Sequence, residues 1–168
     1  MVTICKEFAK DIFNPLLNLL REINIPRKTT TNTRRNFNIG HRSMTLGITR
    51  GRFNGRTDVS YYSKKYPNIY NEVFALGKLI CPFEFNSVHV NNNVICPKHI
   101  DSRNVSVSLL VSFGEYTGAN IVIDNIIYDT KHTPVIFNGS ELEHWNTDDL
   151  IGNKYSLVYY NTKIKVNS

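Results

Sequence analysis

Beyond Phe85 the chain is cut into short runs rich in β-branched and aromatic residues, at 87–95, 105–113, 120–123, 134–137 and 155–160. Gly114, Gly118, Asn125, Gly139 and Gly152 punctuate them. Runs of this length between turn residues read as strands, because branched side chains pack well on a pleated surface while Gly and Asn supply the turns. Many short strands at even spacing predict a sandwich or barrel. The fold class expected is mainly β, with helices ahead of the strands.

The first part of the chain has another texture. Ile4, Phe8, Ile12, Leu16, Leu19, Leu20 and Ile23 recur at helical spacing, which predicts an amphipathic helix over 3–24 with a kink at Pro15. Pro26 and the polar run 28–35 mark a loop. Residues 37–53 are strand-like, and Asn54-Gly55 is a favoured hairpin turn. Tyr66-Pro67 opens a second helix with Ile69, Val73, Leu76 and Ile80 on its buried side, and Pro82 ends it. With no repeat or linker, the 168 residues are expected to form one domain, 1–168. Within it we expect an N-terminal helical segment over about 1–27, a basic loop or hairpin over about 34–56 and a β core over about 83–161.

Composition narrows the function classes. No stretch approaches the ~18 consecutive apolar residues of a membrane span, and Lys6, Glu7, Lys10 and Asp11 interrupt what would be the apolar centre of a secretory signal. Cys5, Cys81 and Cys96 are an odd set without a Cys-x-x-Cys, as expected for free thiols in a reducing compartment. A cytoplasmic or nuclear location, with no membrane contact, is therefore expected. The net charge of +6 is uneven: residues 1–80 hold 14 Lys and Arg against 5 Asp and Glu, residues 81–168 hold 6 against 9. The basic half either captures an anionic partner or merely solvates the surface.

The chemistry-bearing residues lie in the less basic half. His99-Ile100-Asp101 is followed by His144 and then by Lys154-Tyr155-Ser156. Residues two apart on an extended strand leave from the same face, as two ligands of one metal must. Two imidazoles and a carboxylate suit one face of an octahedral iron(II) ion and leave positions open for co-substrate and dioxygen. A tetrahedral zinc site with a bound water is the chemical rival.

Read together, the stretch from Pro82 to Asn93, His99-x-Asp101-x-x-Asn104, Phe113-Gly114-Glu115-Tyr116-Thr117-Gly118, His144 and the run from Lys154 to Tyr160 resemble the iron(II)/2-oxoglutarate-dependent dioxygenases. Within that superfamily the likeness is to the TET/JBP-type branch and its protist and viral relatives. It covers roughly residues 35–161. The resemblance implies a double-stranded β-helix (jelly roll) with flanking N-terminal helices. It also implies His99, Asp101 and His144 as catalytic metal ligands, and Fe(II), 2-oxoglutarate and O2 as cofactors, with ascorbate as a reductant. Lys154 stands where most of the superfamily has Arg, so the far carboxylate of 2-oxoglutarate would meet a point charge rather than a planar fork. Ser156, on the same face, would add a hydroxyl.

Asn91 and Asn93 are expected on one face of the strand before the metal motif, where either they bond the co-substrate or both satisfy buried backbone groups. Trp145 either lines the substrate mouth or packs, and Tyr116 with Gly118 is read as a turn into the core. His41, His89 and His132 fit no ligand position, and Cys96 is read as a small buried residue.

The substrate expected from the TET/JBP likeness is a nucleic-acid base, hydroxylated at carbon with release of succinate and CO2. The arginine-rich segment 34–56, with Phe37 and Phe53 as stacking groups, would hold the nucleic acid; without long insertions the chain is expected to engage DNA or RNA that is single-stranded or held by a partner. The alternatives are a protein or amino-acid side-chain hydroxylase and a catalytically inactive binding module.

Overall fold

The computed structural model describes residues 1–27, 41–50, 55–101 and 106–164. Ten strands and three helices follow in the order β1 (Thr3–Ile4), α1 (Asn14–Arg21), β2 (Arg42–Arg50), β3 (Thr57–Val59), α2 (Tyr61–Lys65), α3 (Pro67–Ile80), β4 (Ser87–Asn92), β5 (Ser108–Thr117), β6 (Ile121–Ile123), β7 (Ile126–Tyr128), β8 (Val135–Phe137), β9 (His144–Asn146) and β10 (Ile151–Tyr160). They form a large sheet, β1-β8-β5-β10-β4-β2-β3, and a small one, β7-β6-β9. All pairings between these strands are antiparallel. Two antiparallel sheets of this order make the expected jelly roll.

The period-two alternation of a strand gives the large sheet two unlike faces. Register aligns Met44, Val90, Leu157 and Val111 in a row across β2, β4, β10 and β5, each fully buried. Leu46, Val88, Tyr159 and Leu109 form the next row on that face. Helices α1 and α3 cover these rows through Leu16, Leu17, Leu20, Ile69, Val73 and Ile80. At Gly77 a Cβ would stand 2.4 Å from the rings of Phe85 and Tyr159, so only glycine lets α3 approach so closely. The Tyr159 hydroxyl donates to the Val73 carbonyl at 2.6 Å, which ties helix to sheet.

Helix α3 and its buried residues match the sequence reading. The N-terminal segment does not. Instead of one helix over 3–24, residues 3–4 form β1 at the edge of the large sheet, paired with β8. Cys5 N–H donates to Pro134 O and Phe8 N–H to His132 O, both at 2.8 Å. The helix begins only at Asn14. Pro15 starts it rather than kinking it, because the missing N–H of a proline costs nothing in the first turn. The β2–β3 hairpin pairs as expected, although Asn54 and the preceding three residues, like Phe37 and the loop 28–40, lie outside the described residues. No helix among the described residues is long and apolar enough to cross a membrane.

Candidate metal centre

The other face of the large sheet looks towards the small sheet across a cleft of about 1190 Å³. His99 and His144 reach it from the small-sheet side. Their backbones exchange hydrogen bonds, His99 N–H to His144 O at 3.1 Å and His144 N–H to His99 O at 3.0 Å, so the two residues face each other although 45 positions apart. Asp101 follows where its N–H donates to Gly139 O at 2.8 Å. The Asp101 carboxylate stands between the rings, with Oδ1 3.3 Å from His99 Nε2 and Oδ2 3.3 Å from His144 Nε2.

The hydrogen-bond pattern says what this cluster is suited to hold. His99 Nδ1 lies 2.6 Å from Pro97 O, and His144 Nδ1 lies 2.9 Å from Leu142 O. A carbonyl only accepts, so each Nδ1 carries the proton and each neutral ring presents its Nε2 lone pair. Both lone pairs then point at carboxylate oxygens, an arrangement that repels unless positive charge sits among them. Against its burial, protonated imidazoles would hold the Asp101 carboxyl well below the usual carboxylate range; with both rings neutral, a cation bound among the three groups would do the same. Two donors bound at ~2.1 Å to one octahedral ion stand about 3 Å apart, close to the 3.3 Å separations here. The donor set fits a divalent metal. Gly139 backs it tightly: a Cβ there would lie 3.0 Å from Asp101 Oδ2 and 3.2 Å from His144 Cε1.

Lys154 lies at one end of the cleft, 5% exposed. Its amine donates to the Ala119 carbonyl at 2.6 Å and sits 5.6 Å from the centre of the Tyr116 ring. Burial pushes the Lys154 amine down to about 8, against the pull of Cys96 and Asp129. Ala119 is held in a left-handed turn, φ 48°, by its N–H bond to Asp149 Oδ1 at 2.8 Å. This turn joins β5 to β6 and closes that end. Ser156 also lines the cleft, in the row Ser43–Asn91–Ser156–Ser112. Ser43 donates to Asn91 Oδ1 at 2.9 Å.

Asn93 does not share a face with Asn91. It leaves the strand with φ 55°, and its Oδ1 accepts from the Lys154 backbone N–H at 2.7 Å while its own N–H donates to Lys154 O at 2.9 Å. The alternation ends one residue too early for the expected placement. Asn93 fixes the backbone of Lys154, the second of the two roles considered for it.

No protein-family model and no curated protein matches the sequence. Solved structures do match. An oxidoreductase of the 2OG-Fe(II) oxygenase family from Burkholderia pseudomallei superposes with a TM-score of 0.58 at 11% identity, over 95% of this chain and 84% of that one. The fold is that of the 2-oxoglutarate/Fe(II) oxygenases. NgTET1, solved in complex with 5mC DNA, has the same oxygenase fold, with a TM-score of 0.66 at 14% identity over 96% of this chain and 72% of its own. A Pseudomonas putida prolyl-4-hydroxylase gives 0.54 at 11%, over 96% and 93%.

Within this oxygenase fold the remaining candidates sort by register. Trp145 pairs with Val122 and lies half-buried under the Lys98 amine, 4.8 Å from its ring, so it packs on the small sheet. Cys96 lines the cleft, and burial pushes its thiol up to about 11. His41 and His89, which fit no ligand position, nevertheless line the cleft. Nothing local marks His89 as a cleft residue. Its place follows from the row Thr45–His89–Val158–Leu110, which only the pairing reveals.

Proposed function

We propose that the protein is an Fe(II)- and 2-oxoglutarate-dependent dioxygenase that hydroxylates a carbon centre on a nucleic-acid base. The observation that carries the reaction class is the triad: two imidazoles tied through Nδ1 to carbonyls, with a carboxylate facing both Nε2 atoms. His99, Asp101 and His144 are its metal ligands. Iron(II) with 2-oxoglutarate and O2 supplies the oxidising chemistry, and succinate and CO2 leave as a substrate C–H becomes C–OH.

The chain binds and orients. Lys154 offers its charge to the far carboxylate from the closed end, where Tyr116 and the Ala119 turn keep water out and strengthen the attraction. Ser156, two residues along the same face of β10, donates its hydroxyl to the same carboxylate. Asn91, its cross-strand neighbour in the cleft, adds an amide hydrogen bond to the co-substrate.

A nucleic-acid substrate is supported by the charge of the cleft. Arg50, Lys154 and Lys163 line it, and Asp101 is the only carboxylate among the described lining residues. The likeness to NgTET1, whose structure holds 5mC DNA, agrees.

The test has two stages. Anaerobic addition of Fe(II) and 2-oxoglutarate should produce a weak visible charge-transfer band. Succinate release, with ascorbate present, is then compared over single-stranded DNA, RNA and peptides, with mass spectrometry for a gain of one oxygen. Release that requires nucleic acid and falls steeply with salt supports the proposal. Release driven by peptides and indifferent to salt replaces it with a protein hydroxylase. Band without any release leaves a binding module.

A further inference from the structure

The cleft extends well past the triad. Lys154 marks its closed end, and six residues along β10, about 20 Å at strand rise, Tyr160 marks the opposite end. That end is built from β2, β4 and the segment after β10. The His89 and Tyr160 rings lie against each other there, centroids 4.8 Å apart. Thr45 Oγ1 is 2.9 Å from His89 Nδ1, which fixes the imidazole. The Ser87 and Thr162 hydroxyls stand beside the Tyr160 hydroxyl, and Ser87 Oγ donates to Ile48 O at 2.8 Å.

Two cations, Arg50 and Lys163, line the same cleft. Arg50 Nη2 donates to the Lys163 carbonyl at 2.9 Å, and both side chains are exposed. Asn86 grips the same segment from the other side, donating to Thr162 O at 2.9 Å and accepting from Thr162 N–H at 2.7 Å. The backbone that carries Lys163 is thus held at two points. A guanidinium has five N–H donors, and the bond to Lys163 uses one.

We infer that this end of the cleft is a nucleotide subsite, in which the His89–Tyr160 pair stacks a base and Arg50 with Lys163 meets its phosphate. The bound nucleotide is the neighbour of the one offered to the triad, and the partner class is single-stranded DNA or RNA. A base has a π-face whatever its sequence, and anchored aromatics beside cations are what such a strand needs. An acidic peptide would use the cations but gain little from the rings. The inference rests on the nucleic-acid reading above and deepens it.

The experiment measures fluorescence anisotropy of labelled single-stranded DNA of one, three and six nucleotides with the full chain, without iron. The anaerobic Fe(II)/2-oxoglutarate band is recorded in parallel for each variant. The three-nucleotide strand should bind more tightly than the single nucleotide. Tyr160→Ala should weaken the longer strands about tenfold or more, the usual loss of one stacked base. Tyr160→Phe, which keeps the ring, should stay within about twofold on the same stacking argument. Arg50→Ala, at an exposed site, should lower the slope of log K against log salt by about 0.7.

Binding unaffected by both Tyr160→Ala and Arg50→Ala overturns the subsite, as does equal binding of an acidic peptide with the same variant dependence. If the band is absent while the strand binds with the expected dependence, the oxygenase reading fails and the subsite stands. The reverse pattern removes the subsite alone.

Discussion

Met44, Val90, Leu157 and Val111 form one row across four strands, and the neighbouring row, Ser43, Asn91, Ser156 and Ser112, projects from the opposite face. The first faces two helices and contains no polar atom in its side chains. The second consists of hydroxyls and an amide, and Ser43, Asn91 and Ser156 of it line the cleft. Within β10 the same ten residues serve both, with Tyr155, Leu157 and Tyr159 towards the helices and Lys154, Ser156 and Tyr160 towards the cleft. The difference teaches that stability and chemistry are separated here by side-chain parity rather than by distance. A substitution one residue away changes which property is affected.

The sharpest way to break this division is His144→Ala. Turnover should vanish with metal binding, measured as succinate release and iron content, while unfolding stays cooperative. Activity retained in this variant would remove His144 from the ligand set. Leu157→Ala should do the converse. Truncating this fully buried side chain is expected to lower stability by about 2–5 kcal/mol, read from chemical denaturation, with the KM for 2-oxoglutarate unchanged wherever the protein remains folded. A changed KM would show that the two faces are coupled.

Lys154 sharpens the comparison through pH. Its folded-state value of about 8 lies below the usual 10.5, so the unfolded chain binds the proton more tightly. Stability from this group therefore rises as pH increases from about 8 towards 10.5. Co-substrate affinity runs the other way, because a dicarboxylate needs the charged amine: KM should climb above pH 8, approaching tenfold per unit as the charged fraction falls. A flat KM across that range would mean that Lys154 does not hold the co-substrate. Ser156→Ala is the smallest effect, removing one hydroxyl bond to a charged group. A rise in KM of about tenfold, the equivalent of 1.5 kcal/mol, is expected, with the denaturation midpoint unmoved.

Legibility followed the same physical divisions. Helix α3 could be read because Pro67 and Pro82 bracket a sustained helical period. Ile4 and Phe8 fitted a helical spacing too, but backbone bonds to Pro134 and His132 drew them onto a sheet edge, a long-range choice that spacing does not record. Strands β7 and β9, three residues each, are too short to show alternation. The triad stood out because its residue types and order are distinctive, and the structure brings those residues together. Asn93 was misplaced because a single left-handed residue ends the strand's parity. His89 and Tyr160 acquire meaning only from register, and Ala119 contributes a carbonyl, which no residue type announces.

Each imidazole of the triad is aimed by a carbonyl two positions upstream, Pro97 for His99 and Leu142 for His144. The aiming instruction is therefore contained within a tripeptide and needs no remote side chain to remember it. A centre specified so locally tolerates wholesale rewriting of its surroundings, which accords with a shared backbone at only 11–14% identity to the compared structures.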